Sequence, residues 1–294
     1  MTYLCLPFGQ RGLNSPNNTS IEFFMRNIAI FSVLTFFFFG TVGAFAADDF
    51  PGRKKYPKIP FIELADLHKT LGNVVVVDAR SKLEFETLRV KGSVNIPVAS
   101  DQFEDNVSKL RSTTSKPIVF YCNGHTCMKS YIATKKAIAA GVKDVHAFDA
   151  GIFDWTKAHP DQAVLLGASP VNVAHLIPKS QFKKRLLSPD HFSDRATTPG
   201  KKLMVIDVRD KFQRAGIGFY PGLERWASLD QQKKLDRYIK KALRQKRTLL
   251  IYDEVGKQVR WLQYALEKAG AKDYYFMKKG ARGYYKELVA LEQK

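Results

Sequence analysis

Ile118-Val119-Phe120-Tyr121-Cys122-Asn123-Gly124-His125-Thr126-Cys127-Met128-Lys129-Ser130 reads as a strand, a loop and the start of a helix. The apolar run at 118–121 has the continuity of a strand buried on both faces. It delivers Cys122 onto a loop of small and polar residues. A helix is predicted from about 130 to 140, ended by Gly141. A cysteine between a strand end and a helix start is placed for thiolate chemistry. The unbonded N–H groups of the first helical turn and the helix dipole both favour negative charge there. Lys129 adds a positive charge nearby. At this point a buried, inert cysteine is the competing reading.

Outward from this stretch, strands and helices alternate. Upstream, Val74-Val75-Val76-Val77 is a β-branched run typical of a doubly covered strand, and Asp78-Ala79-Arg80 ends it. The favoured reading of that charged end is a structural salt bridge or a cap for the next helix. A site-lining role is the alternative, because strand carboxyl ends line sites in open α/β sheets. Residues 61–67 have helical spacing, Gly92-Ser93-Val94-Asn95-Ile96-Pro97 forms a short strand and turn, and 101–110 is a helix. After Gly141 come a strand at 144–148 and Gly151-Ile152-Phe153-Asp154-Trp155. This alternation implies α/β architecture, with a mostly parallel sheet and helices on both faces.

The chain then repeats itself. Leu203-Met204-Val205-Ile206-Asp207-Val208-Arg209 restates 74–80, and Leu249-Leu250-Ile251-Tyr252-Asp253 restates the strand into Cys122. Gly270, Lys272, Asp273, Gly280 and Tyr284 stand at a constant offset of 129 from Gly141, Lys143, Asp144, Gly151 and Trp155. Two copies of one domain are expected. Their bounds are 57–167 and 171–294, joined near 160–170, with an irregular basic stretch opening the second copy. That copy has Asp253 at the place of Cys122, has no cysteine, and has a loop two residues shorter. It is expected to be inactive.

Together these residues resemble the rhodanese family. The resemblance rests on Asp78-x-Arg80, Gly92-x-x-Asn95-Ile96-Pro97, the strand into Cys122 with Gly124, the Lys129-Ser130 step and Gly151-x-x-x-Trp155. It runs from about residue 61 to the C-terminus and is clearest in the first copy. It is particularly similar to exported rhodanese-like proteins with a Cys-x-Gly-x-x-Cys-x-x-Ser loop. The resemblance implies tandem rhodanese-like domains and sulfurtransferase chemistry of the thiosulfate type, with Cys122 as the catalytic residue that becomes a persulfide. Gly124, His125, Lys129, Ser130 and Arg80 are candidates for binding substrate anions, and Cys127 for a resolving or redox partner. Departures are Lys129 and Leu88-Arg89, where the family often has Arg and Gly-His, a longer loop, and the reactive copy coming first. Two further readings remain open: a thiol–disulfide redox protein using Cys122 and Cys127, and a non-enzymatic binding module.

The chain of 294 residues carries a formal charge of +19 and is 45% hydrophobic, enough for packed cores. Such charge permits nucleic acid, anionic surfaces or small anions as partners. Met25-Arg26 precedes an apolar core at 28–39, and Ala44-Phe45-Ala46 fits a signal-peptidase site. Residues 1–46 therefore read as a cleaved bacterial signal peptide with an upstream extension, which places the mature protein in the periplasm. Membrane contact is expected only through that segment if uncleaved. Export argues against nucleic acid. The expected partners are a small anionic sulfur donor and a thiol or protein acceptor, without metal or cofactor. The basic runs, such as Lys183-Lys184-Arg185 and Lys240-Lys241, read as solvated helix faces, and Trp155, Trp226 and Trp261 as core or interface residues.

Overall fold

The structure is a computed structural model and describes residues 50–215 and 218–293. The predicted signal segment lies outside the described residues. The first half runs α1 (Pro51–Lys55), α2 (Leu64–Thr70), β1 (Val75–Asp78), α3 (Lys82–Thr87), β2 (Leu88–Val90), β3 (Val94–Asn95), α4 (Phe103–Ser112), β4 (Ile118–Tyr121), α5 (Lys129–Ala139), β5 (Val145–Phe148), α6 (Gly151–Ala158) and β6 (Ala163–Leu165). Its sheet has the order β3-β1-β4-β5, and every pairing is parallel. The central strand β4 is buried at all four positions. One face packs Val119 and Tyr121 with Trp155; the other packs Phe120 with Phe103 and Ala133. A strand covered on both sides has to be apolar throughout, which is why its sequence does not alternate.

The second half runs α7 (Lys179–Lys183), β7 (Leu186–Leu187), α8 (Pro189–Thr197), β8 (Leu203–Asp207), α9 (Lys211–Arg214), β9 (Glu224–Trp226), α10 (Gln232–Arg244), β10 (Thr248–Tyr252), α11 (Val259–Lys268), β11 (Tyr274–Met277) and α12 (Gly280–Glu292). Its parallel sheet has the order β7-β11-β10-β8-β9. Read from the other edge, β9-β8-β10-β11 repeats the order of the first sheet. Even the outermost position has a counterpart. Phe61 forms a parallel bridge to Ala147 where β7 pairs with β11.

Three expectations shift. Phe61 belongs to that edge bridge, and the helix begins only at Leu64. Part of the expected join, Ala163–Leu165, is β6 and pairs antiparallel with β2. The stretch expected to be irregular contains α7, β7 and α8. A two-residue strand has no periodicity to read.

The halves pack directly. Trp261 and Tyr264 of α11 belong to the first half's core cluster. Trp261 stacks on Phe153 at 5.6 Å and lies 5.0 Å from the Arg80 guanidinium carbon. The Tyr264 hydroxyl accepts the Ile177 N–H at 3.1 Å. At the other end of the first half, Arg53 of α1 donates to the buried Asp149 carboxylate at 2.8 Å and to Glu63 at 2.8 Å. Tyr131 donates to the same Asp149 at 2.5 Å. These bonds strap residues 50–56 across the first domain.

Candidate functional site

Strand β4 ends where the site begins. Cys122 is fully buried, and its carbonyl accepts the Ile152 N–H at 3.0 Å. The Cys127 N–H donates to the Gly124 carbonyl at 2.7 Å and closes a turn that folds the loop back over Cys122. Gly124 has φ +144°, and Gly151 opposite has φ +67°. A Cβ on Gly151 would overlap the Gly124 and Asn123 backbone. Glycine is required here both by the positive φ and by two backbones in contact.

Helix α5 starts at Lys129 without a side-chain cap. Its first N–H groups are therefore unspent, as helix starts require. They divide between the two sulfurs. The Lys129 N–H, with that of Asn123, is directed at Cys127 Sγ. The Ser130 N–H is directed at Cys122 Sγ. Cys122 Sγ also lies 3.1 Å from the Cys127 carbonyl and 3.7 Å from Ser130 Oγ. Both cysteines are reduced and lie within hydrogen-bonding reach of each other. Burial pushes the Cys122 thiol well up. Cys127 is only partly buried, and the contact with Cys122 and the two amides bring it down to about 6.

Around the thiols stands a buried ion network. The Arg80 guanidinium grips Asp78 at 2.9 and 2.6 Å, donates to the Leu88 carbonyl at 2.5 Å, and reaches Asn123 Oδ1 at 3.1 Å. Asn123 in turn donates to Glu84 at 3.0 Å, and Lys129 Nζ lies 3.3 Å from the same carboxylate. Burial opposes charge on Glu84, but Arg80, Lys129 and Asn123 outweigh it and hold the carboxyl below its usual range. His125 Nε2 lies 2.6 Å from Asp154, and its ring stacks on Phe50 at 4.1 Å.

These positions correct three expectations. Cys122 was expected at a place that favours a thiolate; it is fully buried, and its burial disfavours charge. Arg80 was kept as an anion-binding candidate; it is fully buried and committed to Asp78, so it positions Asn123 instead. His125, also an anion-binding candidate, is paired with Asp154 and stacked on Phe50. Ser130 Oγ lies near Cys122 Sγ, the Gly124 carbonyl takes the Cys127 N–H, and Lys129 shares its charge with Glu84. The sequence reading missed Glu84, Asn123, Asp154 and Phe50. Ser81-x-x-Glu84 carried a signal, since it is a capping-box pattern, and the box is formed.

The second half builds the corresponding loop differently. The Asp253 carboxylate accepts N–H bonds from Val255 at 3.1 Å, Gln258 at 2.6 Å, Val259 at 3.1 Å and from Gly256. Gly256 and Gly280 meet as Gly124 and Gly151 do.

Residues 63–158 match the Rhodanese-like domain family. The matched span runs from α2 to α6 and includes the thiol loop. A curated relative, an HTH-type transcriptional regulator from Mycobacterium tuberculosis, is 33% identical over 87 residues. That match covers 30% of this chain and only 36% of the relative. Among solved structures, a thiosulfate sulfurtransferase from Pseudomonas aeruginosa is 19% identical, with a TM-score of 0.33. It is covered over 46% of its length by 78% of this chain. A human single-domain sulfurtransferase is 22% identical, with 33% of this chain covering 96% of it and a TM-score of 0.29. Among the described residues no helix is long and apolar enough to cross a membrane.

Proposed function

We propose that this protein is a sulfurtransferase that carries sulfane sulfur as a cysteine persulfide on the loop 122–130. The donor is a small anion such as thiosulfate, and the acceptor a thiol or a protein nucleophile. The observation that carries this reading is the pair of reduced thiols at the start of α5, each met by its own backbone N–H. Amides fixed in advance stabilise a sulfur anion without reorganising. A thiolate attacks the outer sulfur of thiosulfate; the S–S bond breaks, sulfite leaves with the electron pair, and the enzyme keeps an anionic persulfide. The signal-like segment at 25–46 supports work in the periplasm, and the matching strand order supports a second rhodanese-like copy without a reactive thiol.

Intact mass after exposure to thiosulfate tests the reading. The wild type should gain one sulfur atom and release one sulfite, and the Cys122→Ala/Cys127→Ala double variant should do neither. A wild type that gains nothing removes the proposal. The contact between the thiols favours a second reading, a thiol–disulfide redox protein. It requires a reversible loss of two hydrogens and no sulfur gain.

A further inference from the structure

We propose that the outward face of α10, Gln232–Arg244, is a docking surface for an anionic phospholipid membrane. The surface lies in the half without cysteine and stands apart from the sulfur chemistry.

The helix carries six cations, Lys233, Lys234, Arg237, Lys240, Lys241 and Arg244, and one acid, Asp236. Leu235, Ile239 and Ala242 on its other side are buried in the second half's core. Lys233, Arg237, Lys240 and Arg244 recur at i, i+4, i+7 and i+11, which puts them in one exposed row about 16 Å long. Lys241 flanks the row, and Lys234 lies over the Trp226 ring at 4.9 Å.

This charge works against the helix that bears it. Lys233–Arg237, Arg237–Lys241 and Lys240–Arg244 are like-charge pairs at i,i+4, each destabilising. The first turn holds Lys233 and Lys234 and no acid, against the helix dipole. A face meant only for water interleaves both signs. Among the described residues none of the six has an acidic partner within ion-pair distance. The buried apolar side holds the helix in place despite the repulsion, and an external anionic surface relieves it.

The shape of the patch selects the partner. Its exposed positions carry no apolar or aromatic side chain to anchor in a protein's pocket, and Lys is depleted at the centres of protein interfaces. Four of the six cations are Lys, point charges on flexible stems rather than planar forks. A straight row on a convex helix meets a plane along its whole length, whereas the curved backbone of a duplex crosses it. Clusters of four to eight such cations are what anionic bilayers hold. The apolar side is already spent in the core, so the contact is adsorption without insertion.

Co-sedimentation of the full chain with vesicles tests this. The protein should bind vesicles of phosphatidylglycerol and phosphatidylcholine at low salt. It should leave them at 500 mM salt and ignore vesicles of phosphatidylcholine alone. Each cation at such a surface contributes about fivefold. The variant Lys233→Gln/Arg237→Gln/Lys240→Gln/Arg244→Gln should therefore bind at least about a hundredfold more weakly. Lys91→Gln/Lys109→Gln/Lys201→Gln/Lys202→Gln removes the same net charge from other exposed positions and should bind almost as well. In the wild type, acetylation by an N-hydroxysuccinimide ester should be blocked by the anionic vesicles at Lys233, Lys240 and Lys241 and not at Lys91 or Lys109, a result independent of how any variant folds. No binding to the anionic vesicles, equal losses in the two variants, or protection elsewhere overturns the proposal. So does binding to duplex DNA or polyglutamate without binding to the vesicles.

Discussion

The loops at 122–130 and 253–259 are built on one plan and hold different acids. Each leaves a central strand, rests on a pair of touching glycines, and turns into a helix whose first amides face inward. Gln258 and Val259, which grip Asp253, stand at the offset of Lys129 and Ser130, whose amides face the two sulfurs. The second loop has filled its nest with its own carboxylate. That carboxyl is part of the chain, so the amides are occupied, and burial pushes its pKa up against their pull. The first loop offers its amides to two thiols, whose charge, on the proposed reading, is gained, extended by a sulfur and lost again. The backbone thus supplies a nest of inward amides in both halves, and the side chain at one position separates a staple from the proposed reaction site.

Breaking the buried ion pairs should separate the halves most. Asp78 depends on Arg80, whereas Asp207 has both Arg209 and Arg214, the latter at 3.1 Å. Arg80→Met should destabilise by about 3–5 kcal/mol, the range for leaving one buried charge alone. It should also impair sulfur loading through Asn123. Arg209→Met should cost clearly less in a denaturant titration, because Arg214 remains; equal losses would refute the contrast.

Removing the staple comes next. Asp253→Ala leaves four inward amides without their acceptor and should cost about 2–4 kcal/mol by thermal or chemical unfolding, at about 1–3 kcal/mol per unsatisfied buried group with partial rehydration. Sulfur loading below the transition should be unchanged. The glycine contacts sharpen the comparison further. Gly151→Ala and Gly280→Ala each drive a Cβ into the facing loop at positive φ, and each should lower stability by about 1–3 kcal/mol. Only Gly151→Ala should slow loading. The smallest effect is one of protonation. Cys127, held near 6 by Cys122 and two amides, should be alkylated with a midpoint well below the ~8.5 of a free thiol. Its rate should fall as pH drops through that midpoint, because the thiolate is then protonated.

Much of this was legible in the residues. The β-branched run at 74–77 and the apolar run at 118–121 announced doubly covered strands. The 129-residue offset announced a second sheet of the same order. The Cys122 loop was located by its place between strand and helix. The unequal burial of its two thiols was not legible. Which sulfur faces the solvent depends on how far a turn folds back, and Gly124 at φ +144° leaves that undetermined in the sequence. Arg80 reads as a charge on a strand end, and only packing shows it sealed beneath Trp261 of the other half. β7 was invisible because two residues carry no period.

The strap formed by residues 50–56 sets the smallest piece that can be cut out and still behave. The matched span of 63–158 omits Arg53, the cation on Asp149; Phe50, the ring on His125; and Phe61, the edge partner of Ala147. It also omits β6, the partner of β2. An excised fragment with those recognisable borders would expose a raw sheet margin and leave a carboxylate without its cation. The cooperative unit is wider than the signature that betrays it, and a designer grafting this thiol loop elsewhere must bring the flanks along.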